Sequence, residues 1–211
     1  MGTDISNRLY AFDRRQGEGA GALLLAGVDE VGRGPLAGPV VAAAVIFHSK
    51  EPIPYLNDSK KLTPEIRIEL FRQIMRTAFV GIGAVEEGLI DEINIYQATR
   101  LAMRKALLSL TRTPDFVLVD GTMQIDLPLV QKAVIKGDQL SASIAAASIM
   151  AKVHRDRVME EIDRKYPQYG FARHKGYATE EHIRLIRRHG ASPVHRKSFS
   201  PFRRRQEEFI L

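Results

Sequence analysis

Four carboxylates stand where a buried charge needs a purpose or a partner. Asp29 and Glu30 end an apolar run that begins at Leu23. Asp120 ends Phe116-Val117-Leu118-Val119, and Asp138 follows Gln131–Ile135 across Lys136-Gly137. An unpaired charge carried out of a buried strand costs several kcal/mol or more, so acids here call for a basic neighbour or a hard divalent cation. Open α/β sheets gather their sites at the carboxyl ends of strands. Three strands ending in acid can therefore bring Asp29, Glu30, Asp120 and Asp138 to one sheet edge. With no cysteine and no run of histidines in the chain, the donor set is all oxygen, which suits Mg²⁺ or Mn²⁺ and disfavours structural zinc. A charge of −4 demands cations. Two ions about 3.5–4 Å apart are the known solution for in-line displacement at phosphorus.

Neighbouring strand residues point to opposite faces, so Asp29 and Glu30 share a site only where the strand ends or kinks. Gly32, Gly34 and Gly38 supply that freedom and let the loop approach a ligand closely. Pro35 and Pro39 interrupt the loop and another strand follows, which argues against a dinucleotide fingerprint.

The elements that must hold these residues read as follows. Leu23–Glu30 and Val40–Phe47 are strands, joined as a hairpin through residues 35–39. Thr63-Pro64 starts a helix with its stripe on Ile66, Leu70, Phe71, Ile74 and Met75. Thr77–Glu86 is a strand and Leu89–Leu110 a long helix with Ile93, Leu101, Leu108 and small alanines facing the core. Phe116–Asp120 and Gln131–Ile135 are strands. Ser141–Lys165 is the longest helix, its first half rich in Ala and Ser. Thr179–His189 is a helix stopped by Gly190. The order β-β-α-β-α-β-β-α-α is an α/β domain on a mixed sheet with a helical C-terminal extension. Residues 1–22 read as a lead-in with Gly17, Gly19 and Gly21 as a flexible link, 23–172 as the catalytic domain, and 173–211 as a basic extension ending in a partly ordered tail.

The chain has 211 residues, 45% of them hydrophobic, and a net charge of +6. Ten Lys/Arg lie between Arg173 and Arg205 against two acids, Glu180 and Glu181, a balance of +8 that leaves the rest near −2. A basic segment beside a near-neutral body fits a polyanion-binding face. Residues 1–16 lack the apolar core of a signal peptide, and the longest apolar run, Val40–Phe47, is too short to cross a bilayer. A soluble cytoplasmic monomer is expected.

The run Ala26-Gly27-Val28-Asp29-Glu30-Val31-Gly32-Arg33-Gly34-Pro35-Leu36-Ala37-Gly38-Pro39-Val40 resembles ribonuclease HII, the type 2 ribonuclease H family. So do Asn57–Leu62, Val119-Asp120-Gly121, Lys136-Gly137-Asp138, Ser143–Asp156 and His174-Lys175-Gly176-Tyr177, in order over roughly residues 23–190. The resemblance implies a ribonuclease H-like five-stranded mixed sheet and cleavage of RNA in RNA–DNA hybrids. It also implies incision 5′ of single ribonucleotides in duplex DNA, leaving 3′-hydroxyl and 5′-phosphate ends. It makes Asp29, Glu30, Asp120 and Asp138 the ligands of Mn²⁺ or Mg²⁺. Gly32, Arg33 and Gly34 would read the 2′-hydroxyl through the backbone, with Tyr177 beside them. The 2′-hydroxyl is what separates RNA from DNA at a site, and glycines let a backbone amide or carbonyl reach it. Ser59, Lys60, Ser143 and Lys152 are further candidates for contact with the nucleic acid, Asp156 for pairing with Arg155 or supporting the metal site, and Gln206–Leu211 for docking on a partner such as a sliding clamp. Another two-metal nuclease on the same fold, and a non-catalytic nucleic-acid-binding module whose carboxylates pair with lysines, are the rival readings.

Overall fold

The computed structural model describes residues 2–49 and 51–202. Its centre is a five-stranded mixed sheet in the order β3-β2-β1-β4-β5. These strands are β1 (Leu25–Val31), β2 (Val40–Phe47), β3 (Ala78–Val85), β4 (Phe116–Asp120) and β5 (Val130–Val134). β1 and β2 form the expected antiparallel pair, from Gly27 opposite Val45 to Val31 opposite Val41. β3 adds antiparallel to β2, while β4 lies parallel to β1 and β5 parallel to β4.

The continuous apolar run of β2 is explained by helices on both faces. Val41, Ala43 and Val45 pack toward α4 (Ala142–Lys165), with α1 (Gly2–Ala20) and α2 (Pro64–Thr77) beside it. Val40, Ala42, Ala44 and Ile46 pack toward α3 (Glu87–Leu108). Thr63 caps α2 as its residue type predicts, and the apolar stripe keeps Leu70, Ile74 and half-buried Phe71, with Ile66 and Met75 exposed. In α3 the contact with the sheet is made by Ala98, Ala102, Met103 and Ala106, and Leu108, expected inward, is exposed at the last turn.

Most of the lead-in is helical, and the expected flexible link is not seen at two of its three glycines. Gly17 and Gly19 lie inside α1. The helix is held by tertiary contacts, which outweigh the poor helix propensity of glycine. Leu9 is buried in the core, and Ser6 Oγ donates to the Ile53 carbonyl at 2.6 Å.

The Ala/Ser-rich half of α4 crosses β1 with almost no separation. Every residue from Ala142 to Ala151 is buried, and a Cβ on Gly27 would run into the Ser143 backbone. Gly27→Ala is therefore expected to destabilise the protein by about 1–3 kcal/mol through overpacking. Urea unfolding monitored by circular dichroism checks this, and an unchanged midpoint would contradict it.

After α4 the chain forms α5 (Phe171–His174) and α6 (Glu180–His189). Residues 191–202 then turn back onto the catalytic body instead of trailing away: Ala37 and His195 form a β-bridge, and Arg196 has no exposed surface. Among the described residues no helix is long and apolar enough to cross a membrane.

Candidate active site

Asp29 leaves β1 on the α4 side and is 5% exposed, with Oδ1 accepting from the Glu30 amide at 2.7 Å. Glu30, one residue nearer the strand end, accepts from Arg33 Nη1 at 3.3 Å. Asp120 at the end of β4 accepts from the Gly137 amide at 2.6 Å. Asp138, buried in the 3₁₀ turn Gly137–Gln139, accepts from Lys60 Nζ at 3.3 Å.

Electrostatics tie the four together. Burial, then the charges of Glu30 and Asp120, hold the Asp29 carboxyl well above the usual carboxylate range. Burial also raises Glu30; Arg33 opposes this and Asp120 adds to it. Asp120 is raised by burial and then by Asp138. Two of the four have a cationic neighbour, but the Lys60 and Arg33 side chains are 80% and 47% exposed, and exposed ion pairs contribute little. Among the described residues no three acidic or imidazole groups stand gathered as a ready-made ion cage. Each carboxylate is held by its own donor: the Glu30 amide on Asp29, Arg33 on Glu30, the Gly137 amide on Asp120 and Lys60 on Asp138.

Lys60 therefore joins the site. The 3₁₀ turn Ser59–Lys61 that presents it is capped by buried Asp58, whose other oxygen accepts from Gln139 Nε2 at 3.3 Å. Ser59 is buried, with Oγ 2.8 Å from Ser148 Oγ, and Ser148 in turn bonds Asp29. Ser59 thus stands behind the acid. Ser143 is buried too: it is 1% exposed, and its amide donates to Asp13 of α1 at 2.7 Å. The first turn of a buried helix left donors to satisfy, and α1 satisfies one of them. Lys152 is tied to Asp156 at 2.7 Å, so Asp156 does not pair with Arg155.

The loop from Gly32 to Pro39 sits beside the acids. Gly32 has φ +94°, a conformation that favours glycine, and a Cβ there would strike Arg155. Tyr177 lies 43% exposed next to Gly34, placed by the Gly176 carbonyl, which accepts from the Leu36 amide at 2.8 Å. Exposed Arg33 and Gly34, with Gly32 buried beneath them, thus lie between Glu30, which Arg33 contacts, and Tyr177, which comes from another part of the sequence.

Among the described residues, part of the basic segment is already paired or buried. Arg173 pairs with Glu181 and Lys175 with Glu160, and Arg196 is buried. Arg184, Arg187 and Arg188 of α6, with Lys197, remain exposed. Sequence reading gave Asp58 no role beyond its motif, saw Arg155 only as a partner for Asp156, and counted Arg196 as one charge of the basic extension.

A family model described as Ribonuclease HII matches residues 26–201. A Geobacillus kaustophilus protein named Ribonuclease HII is 59% identical over 185 residues, covering 87% of this chain and 71% of its own length. The crystal structure of the ribonuclease H2 from Pyrococcus horikoshii superposes with a TM-score of 0.73 at 27% identity, over 89% of this chain and 99% of that one. The ribonuclease HII in the PCNA complex from Archaeoglobus fulgidus gives 0.70 at 27% identity, over 84% and 96%. With its sheet order, its carboxylate edge and this similarity together, the chain belongs to the ribonuclease HII family and is a type 2 ribonuclease H, an endonuclease acting on RNA–DNA hybrids.

Proposed function

We propose that Asp29, Glu30, Asp120 and Asp138 hold Mg²⁺ or Mn²⁺, and that the enzyme also incises 5′ of a single ribonucleotide embedded in duplex DNA, leaving 3′-hydroxyl and 5′-phosphate ends. The observation that supports this best is the chain of like-charge coupling from Asp29 through Asp120 to Asp138, at the strand ends and beside a glycine loop. The donor set fits a hard cation, because it is all oxygen and because a cation would relieve the repulsion that, after burial, raises Asp29 and Asp120. When bound, such ions activate water and stabilise negative charge at the scissile phosphate.

This chain's own residues do the rest. Burial and the Ser59–Ser148 contact hold Asp29 in one orientation. Lys60 is mobile enough at 80% exposure to leave Asp138 for a phosphate oxygen. The backbone of Gly32–Gly34 reaches the 2′-hydroxyl, and the exposed ring of Tyr177 packs on the neighbouring sugar, where an added hydroxyl would clash. Attraction at one sugar and repulsion at the next define a ribo–deoxyribo junction. Arg184, Arg187, Arg188 and Lys197 hold the duplex by counterion release.

A duplex with one embedded ribonucleotide, end-labelled and compared with the same duplex in all-DNA form, tests the reading. The expected result is one Mg²⁺- or Mn²⁺-dependent cut 5′ of the ribonucleotide and no cut in the DNA control. Equal cutting of both duplexes would reject the 2′-hydroxyl reading, and no hydrolysis with either ion would favour a binding module. The clamp contact expected of Gln206–Leu211 lies outside the described residues. The Archaeoglobus fulgidus relative, whose structure is a complex with PCNA, supports it as a proposal.

A further inference from the structure

Two arginines without exposed surface carry the loop that displays Gly32, Arg33 and Gly34. Arg196 arrives from beyond α6. Its Nη2 donates to the Gly32 carbonyl at 2.6 Å and its Nη1 to the Arg33 carbonyl at 3.1 Å. Its Nε and Nη2 both donate to the Gly38 carbonyl, at 2.9 and 2.6 Å. Arg155 of α4 takes the other limb, donating to the carbonyls of Pro39 at 2.9 Å and Ala37 at 3.1 Å. Five carbonyls of one loop are thus turned inward onto two guanidinium groups. The Arg196 amide donates to the Leu36 carbonyl at 2.8 Å and the Gly38 amide to the Val194 carbonyl at 3.0 Å, closing the assembly.

Burying two cations together is a poor way to gain stability. Arg155 and Arg196 repel one another, and the buried acid acting on both, Glu87, has one carboxylate oxygen without a hydrogen-bond partner. The arrangement makes sense through peptide geometry. In a trans peptide the C=O and the following N–H point in opposite directions. Pulling the Gly32 and Arg33 carbonyls inward therefore turns the amides of Arg33 and Gly34 outward, toward the opening between Glu30 and Tyr177.

We propose that Arg196, with Arg155 behind it, is the positioning residue for ribose discrimination: its forked hold on the Gly32, Arg33 and Gly38 carbonyls fixes the direction of the outward amides that meet the sugar. The proposal rests on the reading that this loop contacts the 2′-hydroxyl. It assigns to the C-terminal extension a role in specificity, besides any hold on the phosphate backbone.

Arg196→Lys keeps the charge but replaces a rigid fork by one rotatable point charge, which cannot hold both limbs of the loop. KM is measured on a duplex with one embedded ribonucleotide at saturating Mg²⁺, and Ki for the matching all-DNA duplex as competitor. The expected result is a KM raised about tenfold or more with Ki changed less than about twofold, since a site built to bond a hydroxyl loses discrimination when its donors are misaligned. Arg155→Lys should give a smaller rise in KM, because within this loop it holds only Ala37 and Pro39, its third bond going to the Lys175 carbonyl at 3.0 Å. KM and Ki moving together would show a merely structural role and overturn the proposal, as would no change in either. Equal KM and Ki in the wild type would strike the underlying reading of the loop before any arginine is altered. If Arg196→Lys does not fold, amide hydrogen exchange in the wild type decides: Arg33 and Gly34 should exchange freely while Leu36 and Gly38 are protected, and protection of the first two would refute the outward orientation.

Discussion

Asp29→Asn is expected to abolish cleavage and, in the same molecule, to stabilise the metal-free fold. Loss of activity should be about a thousandfold or more, because removing a carboxylate from a two-ion site removes charge stabilisation of the reacting phosphate. The gain in stability follows from electrostatics. Asp29 is buried, and burial with the charges of Glu30 and Asp120 raises its pKa. A carboxyl whose pKa is raised on folding holds its proton more tightly in the folded state. Its penalty is absent below the unfolded value and grows as pH rises from there through the folded value. At neutral pH the metal-free wild type bears that penalty and the amide does not. A rise in midpoint of about 2–4 °C is the size expected from relieving of order 1 kcal/mol in a domain of this length. Thermal unfolding in EDTA and in MgCl₂ checks both halves. The wild type should gain from Mg²⁺ by linkage, by about 2.7 kcal/mol at a hundred times Kd, and the variant should gain far less. Retained Mg²⁺-dependent cleavage, or a lower midpoint in EDTA, would contradict the assignment of Asp29 as a ligand.

Mild acid is expected to loosen the C-terminal extension before the sheet. His174, His182 and His195 meet in the core of the extension, with His182 Nε2 3.0 Å from His195 Nε2. The partners dictate the tautomers. His182 Nδ1 faces the Tyr177 carbonyl at 2.9 Å and must donate, so its Nε2 accepts from His195 Nε2–H. His195 Nδ1 then accepts from the amide and hydroxyl of Ser192, at 2.9 and 2.7 Å. Protonating either imidazole sets N–H against N–H. Burial accordingly pushes His182 and His195 down to about 4. A histidine depressed on folding gives stability that is whole above about pH 6.5 and lost as pH falls toward about 4, a span worth roughly 3 kcal/mol for one imidazole.

Asp13, raised to about 6 by burial, works the other way and gains stability as pH falls, so the global midpoint will blunt the effect. Hydrogen exchange resolves it locally. Between pH 7 and 5, corrected for intrinsic rates, residues 177–196 should lose protection while β2 keeps it. The same release frees the Tyr177 carbonyl and the segment carrying Arg196, so KM for the ribonucleotide-containing duplex should rise over that range. Uniform loss of protection across both regions would reject the local mechanism.

Much of this protein can be read from one line of letters. β2 announces itself because a run buried on both faces has no room for polar residues. Thr63-Pro64 and Thr179 mark helix starts because caps are local chemistry. Asp29, Glu30, Asp120 and Asp138 stand out because an acid at the end of an apolar strand breaks a local rule, and the motif resemblance reaches the family through those same breaks. What the letters left undecided is set by partners far along the chain. Three glycines made α1 look loose, until Leu9 and Ser6 docked on the core. Ser143 looked available to a substrate, until Asp13, 130 residues away, took its amide. Arg196 read as one more charge on a basic extension. Only the folded chain returns it to carbonyls 158 to 164 positions earlier, because a guanidinium declares its burial through the acceptors that surround it, and those come from another part of the sequence.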